Sequence, residues 1–189
     1  MEDIELVERI INGDHQAFKS FTDLYAEMVF RVCFSFVNHR QNAEDLSQDV
    51  FIEVYNTIAR FKKESHIKTW LFRIAINKSL NYIRKKKQNQ WLINIGLLSN
   101  SAEEKESVYK DIPEASAETN YINNEQKTIL YETIARLPKN QRIAFTLNKI
   151  DELSYKEISE IMGISVSSVE SLIHRAKNGL QTKLFKVFK

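Results

Sequence analysis

The chain has 189 residues, 43% of them hydrophobic, with only 4 glycines and 2 prolines. This is enough for one medium core or two small ones, and too few turn-formers for a strand-and-turn protein. The net charge of +2 does not by itself indicate nucleic acid, the single cysteine excludes an internal disulfide, and no apolar run approaches the roughly 20 residues of a membrane span.

The charged amino-terminal stretch MEDIELVERI is unlike a signal peptide, so a cytoplasmic protein is expected. Residues 4–11 read as a short amphipathic helix, broken at Asn12-Gly13-Asp14. From residue 15 to about 37, apolar side chains recur at Phe18, Phe21, Tyr25, Met28, Val32 and Phe36, the spacing of one buried helical stripe. Cys33 lies among Val32, Phe34 and Phe36 and reads as a buried thiol. Asn42 has the character of an N-cap, with Glu44 and Asp45 in the turn where the helix dipole favours acids. The helix after it would bury Leu46, Val50, Val54 and Ile58 and end near Phe61. A polar break follows at 62–66, then a helix over 68–87 with Trp70, Leu71, Ile74, Leu80 and Ile83 as candidates for its buried side. That helix ends in the basic run Arg84-Lys85-Lys86-Lys87.

Residues 88–120 lose this periodicity. An apolar patch at 91–98 precedes a stretch in which, between Asn94 and Asn124, six acids face two lysines. This reads as a linker with one sticky segment, which docks either on the protein or on a partner. The expected organisation is therefore all-α: a first helical domain over 1–90, a linker over 91–120 and a second domain over 121–189.

In the second domain a helix carrying Ile122, Ile129, Ile134 and Leu137 stops at Pro138, and another spans about 140–150. Ser154-Tyr155-Lys156-Glu157 is a capping box opening a helix with Ile158, Ile161 and Met162 as its apolar positions. Gly163 suits a left-handed helix terminus, Ile164 plugs the corner, and Ser165 caps a second helix with Val169, Ile173, Ala176 and Leu180 inward. Two helices joined by a tight glycine turn, with the small Ser159 near the crossing, form a helix-turn-helix pattern. Such a unit places its second helix in the DNA major groove. Its outer face would present Ser167, Ser168, Glu170, Ser171, His174, Arg175 and Lys177 to bases and phosphates. Residues 172–189 carry five basic side chains and no acid. The competing reading is a helical hairpin whose charged face is merely solvated.

The segment 153–180, LSYKEISEIMGISVSSVESLIHRAKNGL, resembles the carboxy-terminal DNA-binding region of extracytoplasmic-function sigma factors, members of the sigma-70 family. Ala43-Glu44-Asp45-Leu46-Ser47-Gln48-Asp49-Val50-Phe51 resembles the segment with which these proteins grip the clamp helices of RNA polymerase. Thr69-Trp70-Leu71-Phe72-Arg73-Ile74-Ala75-Ile76-Asn77, followed by Asn81-Tyr82, resembles their reader of the −10 promoter element. Leu137-Pro138, sixteen residues before Ser154, also matches.

The resemblance implies two domains, sigma region 2 and sigma region 4, and a role in transcription initiation without catalysis. Region 2 would hold melted −10 DNA with the loop residues Lys62, Lys63, Ser65 and His66 and the helix residues Trp70, Arg73, Asn77, Asn81 and Arg84. Region 4 would bind the −35 duplex through the outer face just described. Asp45, Gln48 and Asp49 would contact core polymerase. Trp70 fits a core position as well as a base platform, and Asn77 and the α-helical acids fit a solvated surface. The implied partners are the clamp helices and flap of core polymerase, promoter DNA and an anti-sigma factor. One departure is the pair Glu170 and Leu172, where the family often has basic residues; an acid there repels phosphate but accepts a hydrogen bond from cytosine N4.

Two other functions compete: a conventional helix-turn-helix regulator that binds duplex without core polymerase, and a nucleic-acid-modifying enzyme. Against the enzyme stands the lack of a phosphate loop, nucleophile elbow, metal-ligand cluster or Ser/His/Asp set. Asp49 and Glu53, at helical spacing, are the nearest approach to a carboxylate pair. No cofactor and no metal are expected, and His66 and His174 read as nucleic-acid-facing or solvated residues.

Overall fold

The computed structural model describes residues 2–61, 66–95 and 129–187. The expected residues 62–65 of the −10 loop, the apolar segment from 96, the acidic linker and Ile122 lie outside the described residues. The elements are α1 (Glu2–Ile11), α2 (His15–Val37), α3 (Arg40–Thr57) with a 3-10 turn at Ile58–Arg60, and α4 (Ile67–Asn94). Then come helical residues 129–135, labelled α5, followed by α6 (Lys139–Lys149), α7 (Tyr155–Met162) and α8 (Val166–Val187). Among the described residues every regular element is a helix, as an all-α fold requires.

Asp14, expected only as part of a break, caps α2. Its Oδ1 accepts from the backbone N–H groups of Gln16 and Ala17 at 2.9 and 3.0 Å, satisfying two donors that a helix start leaves orphaned. Its Oδ2 accepts from Arg9 at 2.8 Å and so ties α1 to α2. The Ala17 amide, then Arg9, hold its carboxyl below the usual carboxylate range.

The start of α3 corrects the expectation for Asn42. Asn38 closes α2 in a left-handed conformation (φ 50°), and His39 turns extended and becomes the N-cap, its ring Nδ1 accepting from the Asn42 amide at 3.4 Å. Asn42 therefore lies inside the first turn. Glu44 and Asp45 lie beyond it, and Glu44 pairs with Arg40 one turn back at 2.9 Å.

The second correction is the length of α4, which runs past Lys87 to Asn94. No glycine or proline interrupts 67–94, and Lys and Gln are good helix formers, so nothing stops the helix where its buried face ends. The first residues of the expected linker, Trp91 to Asn94, are its last turn, with Trp91 exposed.

α1–α4 pack around Val7, Phe21, Val29, Val32, Val50, Val54 and Leu71, each almost fully buried. The α2 stripe holds at Phe21, Tyr25, Val32 and Phe36, while Phe18 and Met28 are half-buried at its margin and Val29 and Cys33 take central places. On α4, Leu71 is buried, but Trp70, Ile74, Leu80 and Ile83 are half-buried and Phe72, Ala75 and Ile76 fill the core instead. The second module packs Leu147, Ile158, Ile161, Val169 and Ile173 together, with Ile134, Leu137, Ala176 and Leu180 adjoining. Each such side chain contributes roughly 1.5–3 kcal/mol by leaving water. The modules touch: α4 packs against α7, and the buried apolar cluster runs from one into the other without a break.

Candidate nucleic-acid interface

The helix-turn-helix forms as its sequence dictates. Ser154 Oγ accepts from the Glu157 amide at 3.3 Å, and the Glu157 carboxylate accepts from the Ser154 amide at 2.8 Å and its hydroxyl at 2.6 Å. Those bonds hold the Glu157 carboxyl below its ordinary value. Gly163 closes α7 at φ 65°, ψ 37°, and the Ile164 amide returns to the Ser159 carbonyl at 3.1 Å, the reversal a C′ glycine permits. Ser165 then caps α8, its Oγ accepting from the Ser168 amide at 3.2 Å.

With Val169, Ile173, Ala176 and Leu180 all buried, the opposite face of α8 is forced outward. Ser167, Ser168, Glu170, Ser171, His174, Arg175 and Lys177 are each exposed there. The hydroxyls of Ser167 and Ser168 lie 3.1 and 2.8 Å from Ser165 Oγ, so both are partly committed to the cap. Glu170, Ser171, His174, Arg175 and Lys177 line a shallow concavity with Ile173 and with Tyr155 at the start of α7. Tyr155 was not anticipated as a wall of this surface. Only the crossing of the two helices brings it there, although its place inside the capping box was legible.

On α4, Trp70, Arg73, Asn77, Asn81 and Arg84 follow one another at three- and four-residue steps and share a face. Asn77, Asn81 and Arg84 are exposed, as is His66 at the start of the helix. Trp70 is half-buried and tilts against Phe61 with ring centroids 5.4 Å apart, so it serves the packing whatever else it meets. Arg73 is exposed, yet its guanidinium donates to the carbonyl oxygens of Ile161, at 3.0 Å, and Glu160. Lys62, Lys63 and Ser65 lie outside the described residues.

Asp45, Gln48 and Asp49 are exposed together on α3. Ile52, 59% exposed, and Tyr55, 47% exposed, continue the same stripe. These two were missed, though Ile52 falls off the buried 46–50–54 spacing and so announced itself as an outward apolar side chain. Glu53 is paired with Lys78 at 3.1 Å, which removes it from any carboxylate couple with Asp49. Among the described residues no cluster of His, Cys, Asp and Glu is placed to hold a metal ion, and no helix is long and apolar enough to cross a membrane.

The family model for sigma-70 region 2 matches residues 21–89, and that for sigma-70 region 4 matches residues 127–179. The chain is 33% identical over 186 residues to the ECF RNA polymerase sigma-E factor of Haemophilus influenzae, covering 97% of this chain and 96% of that one. It is 31% identical over 180 residues to the ECF RNA polymerase sigma factor SigW of Bacillus subtilis, covering 94% of each. Its fold is similar to that of CnrH, solved in complex with the cytosolic domain of CnrY, at TM-score 0.66 and 19% identity over 96% of each chain. It is similar also to the sigma factor RpoE of Bartonella quintana, solved with the anti-sigma factor NepR, at TM-score 0.64 and 24% identity, covering 88% of this chain and 96% of that one. Two matched modules in order, with relatives this similar along nearly the whole length, show that the chain belongs to the ECF sigma factors of the sigma-70 family.

Proposed function

We infer that this chain directs core RNA polymerase to promoters by dividing promoter reading between its modules, with boundaries near residues 90 and 121. The observation that carries the reading is the outer face of α8: seven polar side chains, all exposed, on a helix aimed by a capped glycine turn. Arg175 and Lys177 suit guanine or phosphate, the serines suit bases or phosphates, and Glu170 suits cytosine N4. This surface reads the −35 duplex.

The α4 face reads the melted −10 strand. Asn77 and Asn81, one turn apart, hydrogen-bond an extruded base or its backbone, and Arg84 with the lysines after it follows the phosphates. Lys62, Lys63, Ser65 and His66 belong to the same reader as its specificity loop. Trp70 and Arg73 complete it, and base–aromatic contact is worth about 1–3 kcal/mol per base.

Asp45, Gln48 and Asp49, joined by Ile52, form the α3 surface that grips the polymerase clamp helices, and region 4 docks on the flap. The chain works in the cytoplasm and itself catalyses no reaction. Because the RpoE relative was solved with an anti-sigma factor, a restraining partner of that class is proposed here too.

In vitro transcription with core polymerase on a promoter library tests the whole reading. Initiation should depend on the chain and select a shared −35 and −10 sequence. Tight, sequence-specific duplex binding without core enzyme, and no redirected initiation, would instead mark a conventional helix-turn-helix regulator.

A further inference from the structure

We propose that Trp91 is a stacking platform for an unpaired promoter base, lying beyond the bases that Asn77 and Asn81 reach. This rests on the assignment of α4 to the melted strand and carries that surface two turns past Arg84. Trp91 is 60% exposed and Ile95, one turn on, is 47% exposed. The indole thus holds most of a large apolar ring in water, at the end of a helix face already assigned to a nucleic acid.

The register of α4 puts Trp91 on that face. At 3.6 residues per turn, Asn77, Asn81, Arg84, Gln88, Trp91 and Ile95 all fall within about 40° of one line down the helix. Leu71, Ala75 and Ser79, buried in the core, occupy the far side. Lys85 and Lys87 are both exposed and flank the line, about 80° to either side. A strand laid along the line meets cations on both edges and then the indole.

The chemistry of this helix end selects a nucleic acid as its occupant. α4 carries seven basic side chains and no acid over its 28 residues, the charge that a polyanion attracts. Between the basic run and Trp91 stand Gln88, Asn89 and Gln90, all exposed, whose amides suit base edges and phosphate oxygens and do not suit acyl chains. An aromatic ring beside a basic track is how single strands are held, base on ring and phosphate on cation.

The spacing also defines which base. Trp91 lies about 15 Å along the helix from Asn81, at 1.5 Å per residue. That is about four nucleotides of a stacked strand at 3.4 Å each, and fewer of a stretched one. Trp91 therefore takes a base about two to four nucleotides from the one held at Asn81, outside the set that the loop and the two asparagines select. It strengthens the hold on the open strand without adding sequence choice, because every base has a π face.

The test forms open complexes of the full chain with core polymerase on a promoter recovered from the library. The fluorescent base 2-aminopurine, which dims on stacking, replaces in turn each base of the melted −10 strand. One position should be dim with the unmodified chain and with Trp91→Phe, and brighter with Trp91→Ala. Complexes of Trp91→Ala should also dissociate about tenfold faster under a heparin challenge, the effect of losing one base–aromatic stack, with the selected sequence unchanged. The side chain is exposed, so Trp91→Ala should keep the Tm of the free chain within about 2 °C. A larger fall in Tm with unchanged 2-aminopurine signals would mean that the chain following residue 95 covers the indole. Weaker capture of core polymerase with unchanged signals would place the indole on the enzyme. Either result overturns the proposal, as does a signal that ignores Trp91 at every position. Failure of the underlying sigma reading would show separately, as absent promoter-directed initiation by the unmodified chain with core polymerase.

Discussion

Replacing Gly163 and Gly179 by alanine should move stability in opposite directions, although the two lie only sixteen residues apart in one module. At Gly163 the backbone is left-handed (φ 65°, ψ 37°), and a Cβ built there meets nothing within 4 Å. The cost is therefore conformational, about 1–2 kcal/mol for an L-residue in this region. The reduced freedom of the unfolded alanine chain returns about 0.4–1 kcal/mol, leaving a net loss near ~1 kcal/mol. Gly163→Asn should lose less, since asparagine tolerates this conformation. Gly179 sits inside α8 with ordinary helical geometry, and its Cβ would rest 3.7 Å from Leu137 Cδ2, a normal contact. Gly179→Ala should therefore stabilise by about 0.5–1 kcal/mol. Thermal unfolding followed by circular dichroism checks the pair. A 1 kcal/mol change shifts Tm by about 2–4 °C if the whole chain melts as one unit, and by about 4–8 °C if region 4 melts by itself. Alanine as stable as glycine at 163, or asparagine no better than alanine there, would refute the left-handed turn. A destabilised Gly179→Ala would refute the packing against Leu137.

Ser154→Ala should cost about 1 kcal/mol. The Glu157 carboxyl is depressed by Ser154, so its contribution is complete above the ordinary carboxylate value and fades as pH falls through the lowered one. The Tm gap between variant and unmodified chain should therefore narrow between pH 7 and pH 3, and a constant gap would count against the capping box. Cys33 is fully buried and burial raises its thiol pKa, with Ser79 and Ser47 pulling it back slightly. Iodoacetamide should modify it at least about 100-fold more slowly in the folded than in the unfolded chain, and comparable rates would contradict that burial. Glu170→Lys should strengthen −35 duplex binding and steepen its salt dependence by about 0.9 in log–log slope, the signature of one added phosphate contact. It should also alter the preferred base, and an unchanged preference and affinity would remove Glu170 from base reading.

The helix-turn-helix was legible because its determinants are local. Ser154, Glu157, Gly163 and Ser165 act within one turn of themselves, and the spacing of Val169, Ile173, Ala176 and Leu180 decides which face of α8 turns outward. The all-α class followed equally from periodicity and the scarcity of breakers. Asn42 failed as a cap because Asn38 closes α2 in a left-handed conformation and His39, three residues earlier, takes the cap of α3. The end of α4 was misplaced because a helix without a breaker continues past its buried face. Nothing in the sequence announced that Arg31 would find Asp151, that Arg142 would lie on Phe36, or that Arg73 would meet the end of α7. Those pairs are separated by 120, 106 and 88 positions. An arginine has the same local preferences whether its partner is water, phosphate or a distant carbonyl. Local chemistry thus settled the helices and their outward faces, and only the burial of one module against the other decided which charged side chains are engaged within the protein and which stay exposed.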